Sequence, residues 1–588
     1  MRYHSAVLRP RRRLTDAWRS RASAASEGLG PVRLYTVPVG AAPDPGGSAV
    51  VDLLHATPRP WGDLRGAHEL VRFGFEGGDC EGLFDALLAA HPLAPSTFVP
   101  SSFASQLFLD ELVRRCFVLR VSGARVEPNV KEFRRIVEAP PTDPVHCAAR
   151  QEVLRELTER PVFRADLERL YAGVRELRAA LEMAPSSEPS VVRRKIAVLV
   201  AIQRCGRAMA DGFEGSASLL ARLREHGQGL CRTDGWKRLV ELVDLEGHLA
   251  TVDVRMRLGS DGTVREFSML AVREPPRTAL APGPFRRVLD RWMSFLRGYR
   301  FGETEVVVRL LEEVFTPMTA EVVGWLALTG PLEFYLASLG FRDLAQAAGL
   351  EVCLPTFVED SERSFEAVFN PLLFVQDVTP RGCDLRFGPG DGLVLVTGPN
   401  SGGKTRLLQA LGLSQLLGQA GLFVPARTAR LRWAPGLFLS LVVDDGAAQA
   451  EGRLGTELLR IRALFEQLEP GSLAILDELC SGTNPDEGEA LFEMVVSLLP
   501  QLEPQVFVST HFLGLAARLE REARVPGLAF MQVELDGAER PTYRFVSGVA
   551  SSSLAHKVAA RLGVTRETLG ALVEEKRARR RASSKNPS

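Results

Sequence analysis

The chain has 588 residues, more than one hydrophobic core usually serves, so roughly two to four domains are expected. Its composition, with 45% hydrophobic and 24% charged residues, is that of a soluble globular protein. The 72 basic and 72 acidic side chains cancel, which excludes a globally basic nucleic-acid surface and leaves only local basic patches.

The cysteine pattern and the N-terminal residues give an expectation for the cellular compartment. Eight cysteines are scattered without a Cys-x-x-Cys pair, which argues against a zinc site or a disulfide framework and favours a reducing compartment. His146 beside Cys147 is interpreted as a chance neighbour and not as a metal pair. No run of about 18 apolar residues is apparent, and the basic start MRYHSAVLRPRRR lacks the apolar segment of a secretory signal. We therefore expect a cytoplasmic protein without a membrane span.

The first half of the chain changes from irregular to helical patterns. Residues 1–95 are irregular, and Pro and Gly punctuate the stretch PVGAAPDPGG, so no role is assigned to this region. From about 100 to 230, apolar residues recur three and four apart with charges between them, which predicts amphipathic core helices. Apolar and charged residues alternate on both sides of the turn sequence GSDG and predict a two-stranded hairpin near 250–273. Helical periodicity resumes over 285–350.

From about residue 366, short apolar runs alternate with helical patterns. The runs read GLVLVTG, FLSLVVDD, SLAILDE and QVFVSTH. Such alternation predicts a mostly parallel sheet covered by helices on both faces. The predicted fold class is therefore an α/β C-terminal domain with a mixed, mostly parallel sheet, preceded by a mainly α-helical domain. The last stretch, EEKRARRRASSKNPS, is interpreted as a basic polar tail.

A glycine-rich turn follows the first of these runs and fits the phosphate-loop pattern G-x-x-x-x-G-K-[ST]. Glycines let backbone N–H groups turn toward phosphates, and the next helix presents its positive end. Lys404 supplies a charge for the β and γ phosphates, and the Thr405 hydroxyl is placed to ligate Mg²⁺. The predicted nucleotide-binding residues are Gly398, Pro399, Asn400, Ser401, Gly402, Gly403, Lys404 and Thr405.

Two further strand ends carry polar residues that suit the same chemistry. Asp477 and Glu478 follow the run SLAIL. Asp477 is predicted to hold Mg²⁺ through water, as a metal-site residue together with Thr405, and Glu478 is predicted to polarise the attacking water. An acidic strand-to-loop cap is the alternative, which the paired phosphate loop disfavours. His511 follows the third run and is predicted to contact the γ-phosphate or the water, although a lone histidine is more often structural. The predicted catalytic residues are thus Glu478, His511 and Lys404.

Three motifs in this order are typical of ABC-type ATPases, and their details resemble the MutS mismatch-repair family. TGPNSGGKT with LLGQAGLFVPA resembles that family's phosphate loop and following helix, and DELCSGTNPDEGEAL resembles its Asp-Glu-x-x-x-Gly-Thr segment. STHF resembles its Thr-His switch, and YRFVSGVASSSLAHKVAARLGV its closing strand and the approach to the dimer helices. FNPLL sits where the family's ATPase domain begins. EQLEPGS before Asp477 does not fit the Leu-Ser-Gly-Gly-Gln signature of a transporter.

The resemblance is close over about 366–570, weaker before that, and absent over 1–95. It implies a helical core and lever domain at 96–365, with the hairpin near 250–273 as a small insertion. It further implies a MutS-type ABC ATPase domain with C-terminal dimerisation helices at 366–570, and a basic tail at 571–588.

Three departures from the family pattern bear on function. Mismatch readers wedge a Phe with a nearby Glu into the duplex from an N-terminal domain, for which this chain has no room before the core, and FGFEGG does not match that wedge. The DNA-clamp region between the lever helices is short. Where the family has Gly-Lys/Arg-Ser, whose serine reaches the partner's nucleotide, this chain reads GRLGT with Thr456 as the candidate substitute. The speed of hydrolysis is therefore left open.

The family's site implies ATP and Mg²⁺ as cofactors. One subunit's phosphate loop faces another subunit's signature in this class, so a two-fold homodimer is implied. The leading hypothesis is a DNA-dependent ATPase whose ATP binding and hydrolysis open and close a clamp on duplex, mismatched or branched DNA. The setting would be mismatch repair or recombination control, with repair proteins as further partners and no membrane.

Rival interpretations remain open at this stage. An ATP-gated scaffold or clamp with little hydrolysis, acting on a protein or RNA partner, is favoured by the changed signature at 453–456. A soluble ATPase of a transport system is disfavoured by the missing Leu-Ser-Gly-Gly-Gln. The Arg-rich segments EFRRIVE and VVRRKIAV are interpreted either as solvated helix faces or as contacts to a DNA backbone.

Overall fold

The structure is a computed structural model, and its described residues fall into two compact units. The first unit combines the residues before 95 with Phe117–Ile136 and Asp143–Gly340, and the second combines Pro95–Cys116, Val137–Thr142 and the chain from Phe341. The described residues are 51–59, 65–89, 91–121, 123–183, 188–244, 251–258, 264–273, 303–359, 362–441, 452–481, 484–551 and 562–583.

The first unit is mainly helical. Its two small antiparallel pairs join β1 (Leu119–Val121) to β2 (Ala124–Val126) and β3 (Thr251–Leu258) to β4 (Val264–Arg273), the second pair lying where the hairpin was predicted. Its helices are Arg65–Glu76, Asp85–Ala89, Val130–Glu138, Pro144–Glu159, Pro161–Glu182, Glu188–Asp211, Ala221–Cys231, Asp234–Asp244, Glu303–Phe315, Thr319–Ala327 and Thr329–Ala347, within which the chain passes to the second unit.

Helix starts and buried faces follow the sequence in this unit. Asp143 caps Pro144–Glu159 by accepting a hydrogen bond from the Val145 N–H at 2.9 Å, and a proline opens the helix as the fixed φ allows. In Pro161–Glu182 the buried apolar side chains recur three and four residues apart, which is the stripe that an amphipathic core helix presents. They are Phe163, Leu167, Leu170, Tyr171, Val174, Leu177 and Leu181.

In the basic segment VVRRKIAV, Arg193 is exposed as the solvated-face interpretation expects, whereas the other two basic side chains are buried. Arg194 is buried and donates to the carbonyl oxygens of Gly74 and Met183. Lys195 is also buried and donates to Glu312 at 3.0 Å. Two of its three basic side chains therefore satisfy partners inside the first unit and are not available to a DNA backbone.

The stretch FGFEGG, which does not match the family's wedge, lies in and just beyond helix Arg65–Glu76. Phe75 is buried and stacks on Phe315, with ring centroids 3.7 Å apart. A residue packed in this way stabilises the helical core, since its apolar surface is already removed from water.

The stretch Val307–Ala347 is long and apolar enough to pass as a membrane span by length and composition, although the sequence patterns predicted none. Its apolar window is wholly buried inside the protein, as in the core helix of a globular domain. Trp325 and Tyr335 are among its fully buried side chains. No other stretch among the described residues passes the same test.

The second unit contains two sheets. A four-stranded sheet has the order β5-β9-β6-β7, and a six-stranded sheet has the order β10-β11-β12-β8-β13-β14. The strands are β5 (Thr356–Val358), β6 (Arg363–Val368), β7 (Cys383–Phe387), β8 (Leu393–Thr397), β9 (Thr428–Arg432), β10 (Leu437–Ser440), β11 (Leu473–Leu476), β12 (Gln505–Ser509), β13 (Leu528–Leu535) and β14 (Pro541–Ser547).

The six-stranded sheet is mixed and mostly parallel, which confirms the α/β class predicted for this region. Its first five strands are parallel neighbours, and β14 alone runs antiparallel to β13. Strands β8, β11 and β12 are buried along their whole length, as expected for parallel strands covered on both faces. The helices of this unit are Leu109–Cys116, Lys404–Gln419, Gly452–Gln467, Pro485–Leu498, Leu513–Glu522 and Arg566–Ser583.

The early segment Pro95–Cys116 belongs to the second unit because it covers the sheet edge at β10. Ser102 donates to the Leu437 carbonyl at 2.9 Å. The Gln106 side chain donates to the Leu439 carbonyl at 2.8 Å and accepts from the Leu441 N–H at 2.6 Å. The division after Gly340 also precedes the boundary predicted at 365/366, since sequence periodicity does not reveal such long-range pairing.

Candidate functional site

Three neighbouring strands of the six-stranded sheet end at the same edge. β11, β12 and β8 are parallel, with Leu476 opposite Val508 and Ser509 opposite Val396. The residues that follow each strand therefore meet at the carboxyl edge, where open α/β sheets bind ligands. The predicted site residues found there are Gly398 to Thr405, Asp477, Glu478 and His511.

The turn after β8 takes backbone conformations that need glycine. Gly398 has a φ of 137°, and a Cβ at this position would lie 2.7 Å from Cγ2 of Val533 on the adjacent strand β13. Gly403 has a φ of 91° and is the N-cap of helix Lys404–Gln419, and Ser401 also has a positive φ of 67°. The turn thereby brings backbone N–H groups and the positive end of the helix to one place.

Lys404 is buried at the start of this helix. Its Nζ donates to the carbonyl oxygens of Gly398 at 3.0 Å and Pro399 at 3.3 Å, and lies 3.9 Å from Oε1 of Glu478. Burial lowers the pKa of Lys404 below its usual value, while the carboxylates of Glu478 and Asp477 oppose that shift. The ammonium group is thus held at the loop by weakly charged carbonyl oxygens, which an anion can replace.

Asp477 is buried and lies between two hydroxyl groups. The Thr405 hydroxyl donates to Oδ2 at 2.6 Å, and the Ser509 hydroxyl donates to Oδ1. The Asp477 N–H also donates to the Ser440 carbonyl at 2.8 Å, which continues the pairing of β11 with β10. The structure therefore brings together Thr405 and Asp477, the two predicted Mg²⁺ ligands.

Glu478 lies in a different environment from Asp477. Its φ is 48°, and its N–H donates to the Ser509 hydroxyl at 2.9 Å. Its side chain is 32% exposed and points toward the phosphate loop, as the distance to Lys404 shows. A carboxylate with a free face in a cavity suits a group that accepts a proton from water.

His511 lies on the loop after β12 and is exposed. Its ring contacts the Phe512 ring, with centroids 4.2 Å apart. The described residues that line the cavity at this edge do not include His511. The structure thus brings Lys404, Thr405, Asp477 and Glu478 together and leaves His511 outside their cavity.

A cavity of about 700 Å³ opens beside the phosphate loop. Its polar lining includes the loop and the two carboxylates. Its apolar and aromatic lining includes Phe369, Val378, Tyr543 and Phe545. The motifs in the sequence located only the polar lining residues. Tyr543 and Phe545 are two residues apart in β14, which places both on one strand face, and this spacing could have suggested the aromatic lining.

The lining residues fit a nucleotide with Mg²⁺. A hydroxyl and a carboxylate supply the oxygen ligands that Mg²⁺ prefers, and Lys404 with the loop backbone supplies donors for phosphate oxygens. The cavity volume lies within the range of about 300–1,000 Å³ usual for small-molecule sites. The described residues include no cluster of three His, Cys, Asp or Glu that could hold a metal ion by themselves, so phosphate oxygens and water would complete the shell.

The altered signature lies at the start of helix Gly452–Gln467. The prediction that Thr456 substitutes for the family's serine concerns the side chains of Arg453 and Thr456, which lie outside the described part of the structure. On the same helix Leu458 and Leu459 are 43% and 51% exposed.

Comparison with known proteins finds similarity over the second half of the chain. Residues 394–577 match the model of MutS domain V. The chain is 30% identical over 274 residues to Endonuclease MutS2 of Streptococcus gordonii, covering 46% of this chain and 34% of that protein. It is 34% identical over 239 residues to Endonuclease MutS2 of Thermus thermophilus, covering 40% and 31% respectively. For Endonuclease MutS2 of Thermomicrobium roseum, identity is 30% over 288 residues, covering 48% and 36%.

The chain thus spans about a third of the length of these relatives. The printed names assign endonuclease activity to those proteins. The matched family model covers the loop from Gly398, both carboxylates after β11 and strand β14, which are the elements that build the cavity. Residues 394–577 are thus similar to MutS domain V, and a little under half of the chain is similar to proteins named Endonuclease MutS2.

Proposed function

We propose that this protein binds ATP with Mg²⁺ in the cavity beside the phosphate loop and hydrolyses it. The observation that carries the proposal is the meeting of Lys404, Thr405 and Asp477 at one sheet edge, with Glu478 facing the same space. ATP with Mg²⁺ would supply a transferable phosphoryl group and a cation that neutralises its charge. Similarity to MutS domain V supports this class of activity.

Each side chain then has a distinct role. Lys404 exchanges its carbonyl partners for phosphate oxygens, which are stronger acceptors because they are charged. Thr405 would hold Mg²⁺ with its hydroxyl, and Asp477 would hold it through water. Glu478 orients and deprotonates the attacking water. His511 is proposed to join the site only after a movement of its loop, since it lies outside the cavity.

The aromatic side chains that line the cavity are proposed to hold the base. Tyr543 is 48% exposed and has a strained φ of 61°, and its Cδ1 lies 3.3 Å from where a Cβ of Gly403 would be. Its ring thus stands beside the phosphate loop with a face available for stacking. Base–aromatic stacking contributes about 1–3 kcal/mol, so we expect Tyr543→Ala to weaken nucleotide binding about tenfold and Tyr543→Phe to preserve it.

The binding step is tested with a fluorescent ATP analogue, mant-ATP, and Mg²⁺. Wild-type protein should bind it, and Lys404→Ala should lose at least about tenfold in affinity because a charge-assisted contact to phosphate is removed. Lys237→Ala is the matched control, since Lys237 is an exposed lysine of the first unit. Wild-type protein that bound no mant-ATP would contradict the proposal.

The hydrolytic step is tested at Glu478. Glu478→Gln keeps the shape of the side chain but cannot accept the proton, so turnover should fall about 10²–10⁴-fold with mant-ATP binding retained. Unchanged turnover would show that another group activates the water.

A DNA partner is proposed from the similarity to MutS domain V. Under the leading proposal, DNA stimulates the ATPase, and ATP closes a homodimeric clamp around duplex, mismatched or branched DNA. The second candidate is a clamp or scaffold on a protein or RNA partner with little hydrolysis. His511 is exposed and lies outside the cavity, so it does not assist hydrolysis in this arrangement. Slow turnover is what the second candidate requires.

A binding panel separates the two candidates. Homoduplex, single-mismatch and four-way-junction DNA are compared by gel shift with and without ATP, together with steady-state ATPase. Binding of any of these DNAs with stimulated turnover supports the first candidate. Negligible turnover that no DNA stimulates supports the second, and selective binding to the mismatch would contradict the prediction that mismatch reading is absent.

A further inference from the structure

One buried hydroxyl connects both carboxylates of the proposed site. Ser509 is the last residue of β12 and has no exposed surface. Its hydroxyl donates to Oδ1 of Asp477 and accepts from the N–H of Glu478 at 2.9 Å. The motif that singled out His511 two residues later did not assign a role to Ser509.

The direction of the Ser509 hydrogen bonds is determined by its partners. A backbone N–H can only donate, so the hydroxyl must use a lone pair for Glu478. Its single proton is then directed to Asp477, whose carboxylate can only accept when ionised. The Ser509 side chain therefore holds both the carboxylate of Asp477 and the backbone of Glu478, whose φ of 48° is strained.

The other oxygen of Asp477 has a partner that the proposed metal would engage. Oδ2 accepts from the Thr405 hydroxyl at 2.6 Å. If the Thr405 hydroxyl held Mg²⁺, Oδ2 of Asp477 would be able to accept a hydrogen bond from water. The Ser509 contact lies on the opposite oxygen and does not need to change. It can therefore keep the Asp477 carboxylate in one orientation before and after the metal binds.

Resting on the proposed function, we propose that Ser509 is a positioning residue that orients Asp477 for Mg²⁺ and holds the backbone of Glu478. Residues that orient metal ligands commonly affect metal affinity or activity by about 10–100-fold. A residue that only filled space would affect folding without a specific effect on the metal. The effect should therefore appear in the dependence of nucleotide binding on Mg²⁺ concentration.

The test is a Mg²⁺ titration of mant-ATP binding for wild type and Ser509→Ala. We expect the half-saturating Mg²⁺ concentration to rise about tenfold or more in Ser509→Ala. Binding of mant-ADP in the presence of a chelator should stay within about twofold of wild type, because the phosphate loop is untouched. Ser509→Thr, which keeps the hydroxyl, should restore the wild-type Mg²⁺ dependence.

Ser414→Ala is the matched control. Ser414 is equally buried, and its hydroxyl donates only to the Ala410 carbonyl of its own helix, at 2.7 Å. Ser414→Ala should therefore leave the Mg²⁺ dependence at the wild-type value. If Ser509→Ala is not recovered folded, Ser509→Cys replaces it, and a smaller shift in the same direction is expected because a thiol is a weaker donor.

The outcomes separate this inference from the proposal on which it rests. Wild-type protein that fails to bind mant-ATP would defeat the proposed function. Wild-type binding with the same Mg²⁺ dependence in Ser509→Ala, or Ser509→Cys, as in Ser414→Ala would overturn the role of Ser509 and leave the proposed function intact.

Discussion

Asp477 and Glu478 are neighbours in sequence, yet their surroundings assign them different properties. Asp477 is buried and accepts hydrogen bonds on both oxygens, whereas Glu478 is partly exposed and faces Lys404 across 3.9 Å. Burial with two donors suits a group that must stay in one orientation. Partial exposure suits a group that must exchange protons with water. The motif identified both residues, but the hydroxyl of Ser509 that distinguishes them comes from another strand.

A histidine cluster in the first unit is also defined by burial. His91 and His55 stack with ring centroids 6.1 Å apart, and Asp52 lies 2.8 Å from Nδ1 of His55. Burial lowers the pKa of His91 to about 4, with Asp52 opposing the shift and Arg135 adding to it. The Asp52 pKa is lowered to about 2, because its hydrogen bonds and the charge of His55 together outweigh the opposing effect of its burial, which is the largest single contribution.

These shifts predict a loss of stability in acid. Between pH 6.5 and about 4 the unfolded chain protonates His91 while the folded chain does not, so the free energy of unfolding should fall by up to ~3 kcal/mol as pH decreases. Asp52 adds a second loss below its unfolded value of 3.8, as its stabilising ionised form is protonated. Denaturant unfolding at pH 7.5, 5.5 and 4.5 measures the first effect.

His91→Gln removes the titrating ring and should flatten the profile between pH 6.5 and 4. His511→Gln, at an exposed position of the second unit, should leave the profile unchanged. A His91→Gln profile as steep as that of wild type would show that other groups cause the loss.

The turn between β8 and helix Lys404–Gln419 shows how an element positions the site. Its shape depends on glycines, since the positive φ at Gly398 and Gly403 is strained for other residues. The helix is buried over almost its whole length, so the turn cannot relax by moving the helix away. Strain introduced in the turn must therefore change the phosphate loop itself.

Gly398→Ala is expected to weaken mant-ATP binding at least tenfold. Its Cβ would lie 2.7 Å from Cγ2 of Val533, and the φ of 137° would be strained. Gly390→Ala is the control, because its Cβ would meet nothing within 4 Å. Affinity is measured by fluorescence titration, and equal affinities for both variants would contradict the argument.

The side chain of Gln106 forms the two hydrogen bonds that a neighbouring strand would form with the edge strand β10. Gln106 satisfies the Leu439 carbonyl and the Leu441 N–H, groups that an uncovered edge would leave to water or to another chain. Gln106→Ala should lower the free energy of unfolding by about 1–3 kcal/mol, because it leaves edge groups unpaired. Gln346→Ala, at an exposed position, should change it by less than about 0.5 kcal/mol. Urea denaturation, monitored by circular dichroism, measures the free energy of unfolding of both variants.

At the scale of the molecule, the proposed site is predicted to be completed by a second copy of the chain. The family's signature region falls at the start of helix Gly452–Gln467, where Leu458 and Leu459 leave apolar surface in water. Removing these two leucine side chains from water would favour an interface on this helix. A second copy of the chain is the proposed occupant, since a two-fold arrangement would bury both copies of the helix.

Leu459→Glu is therefore expected to abolish nucleotide-dependent dimerisation while retaining mant-ATP binding. Light scattering after size exclusion, with Mg²⁺ and a non-hydrolysable ATP analogue, measures the mass. Val162→Glu, which places the same charge on an exposed apolar position of the first unit, should dimerise like wild type. A dimeric Leu459→Glu would remove this helix from the proposed interface.

The sequence alone determined the α/β class and the residues whose chemistry is local. Lys404 and Thr405 follow a glycine turn and Asp477 follows a buried strand, so a short pattern contains all the information needed to name them. The hairpin of β3 and β4 was likewise visible from alternation around one turn.

Contacts between distant parts of the chain were decided only by the tertiary structure. Ser509 bonds to Asp477, 32 positions away. Tyr543 approaches the phosphate loop from more than a hundred positions away, and Gln106 caps β10 from more than three hundred. Burial of Arg194 and Lys195, which the sequence left as a choice between solvent and DNA, was decided in the same way. Periodicity and motifs report a residue's neighbours along the chain, whereas hydrogen-bond partners and burial depend on which elements the fold brings together.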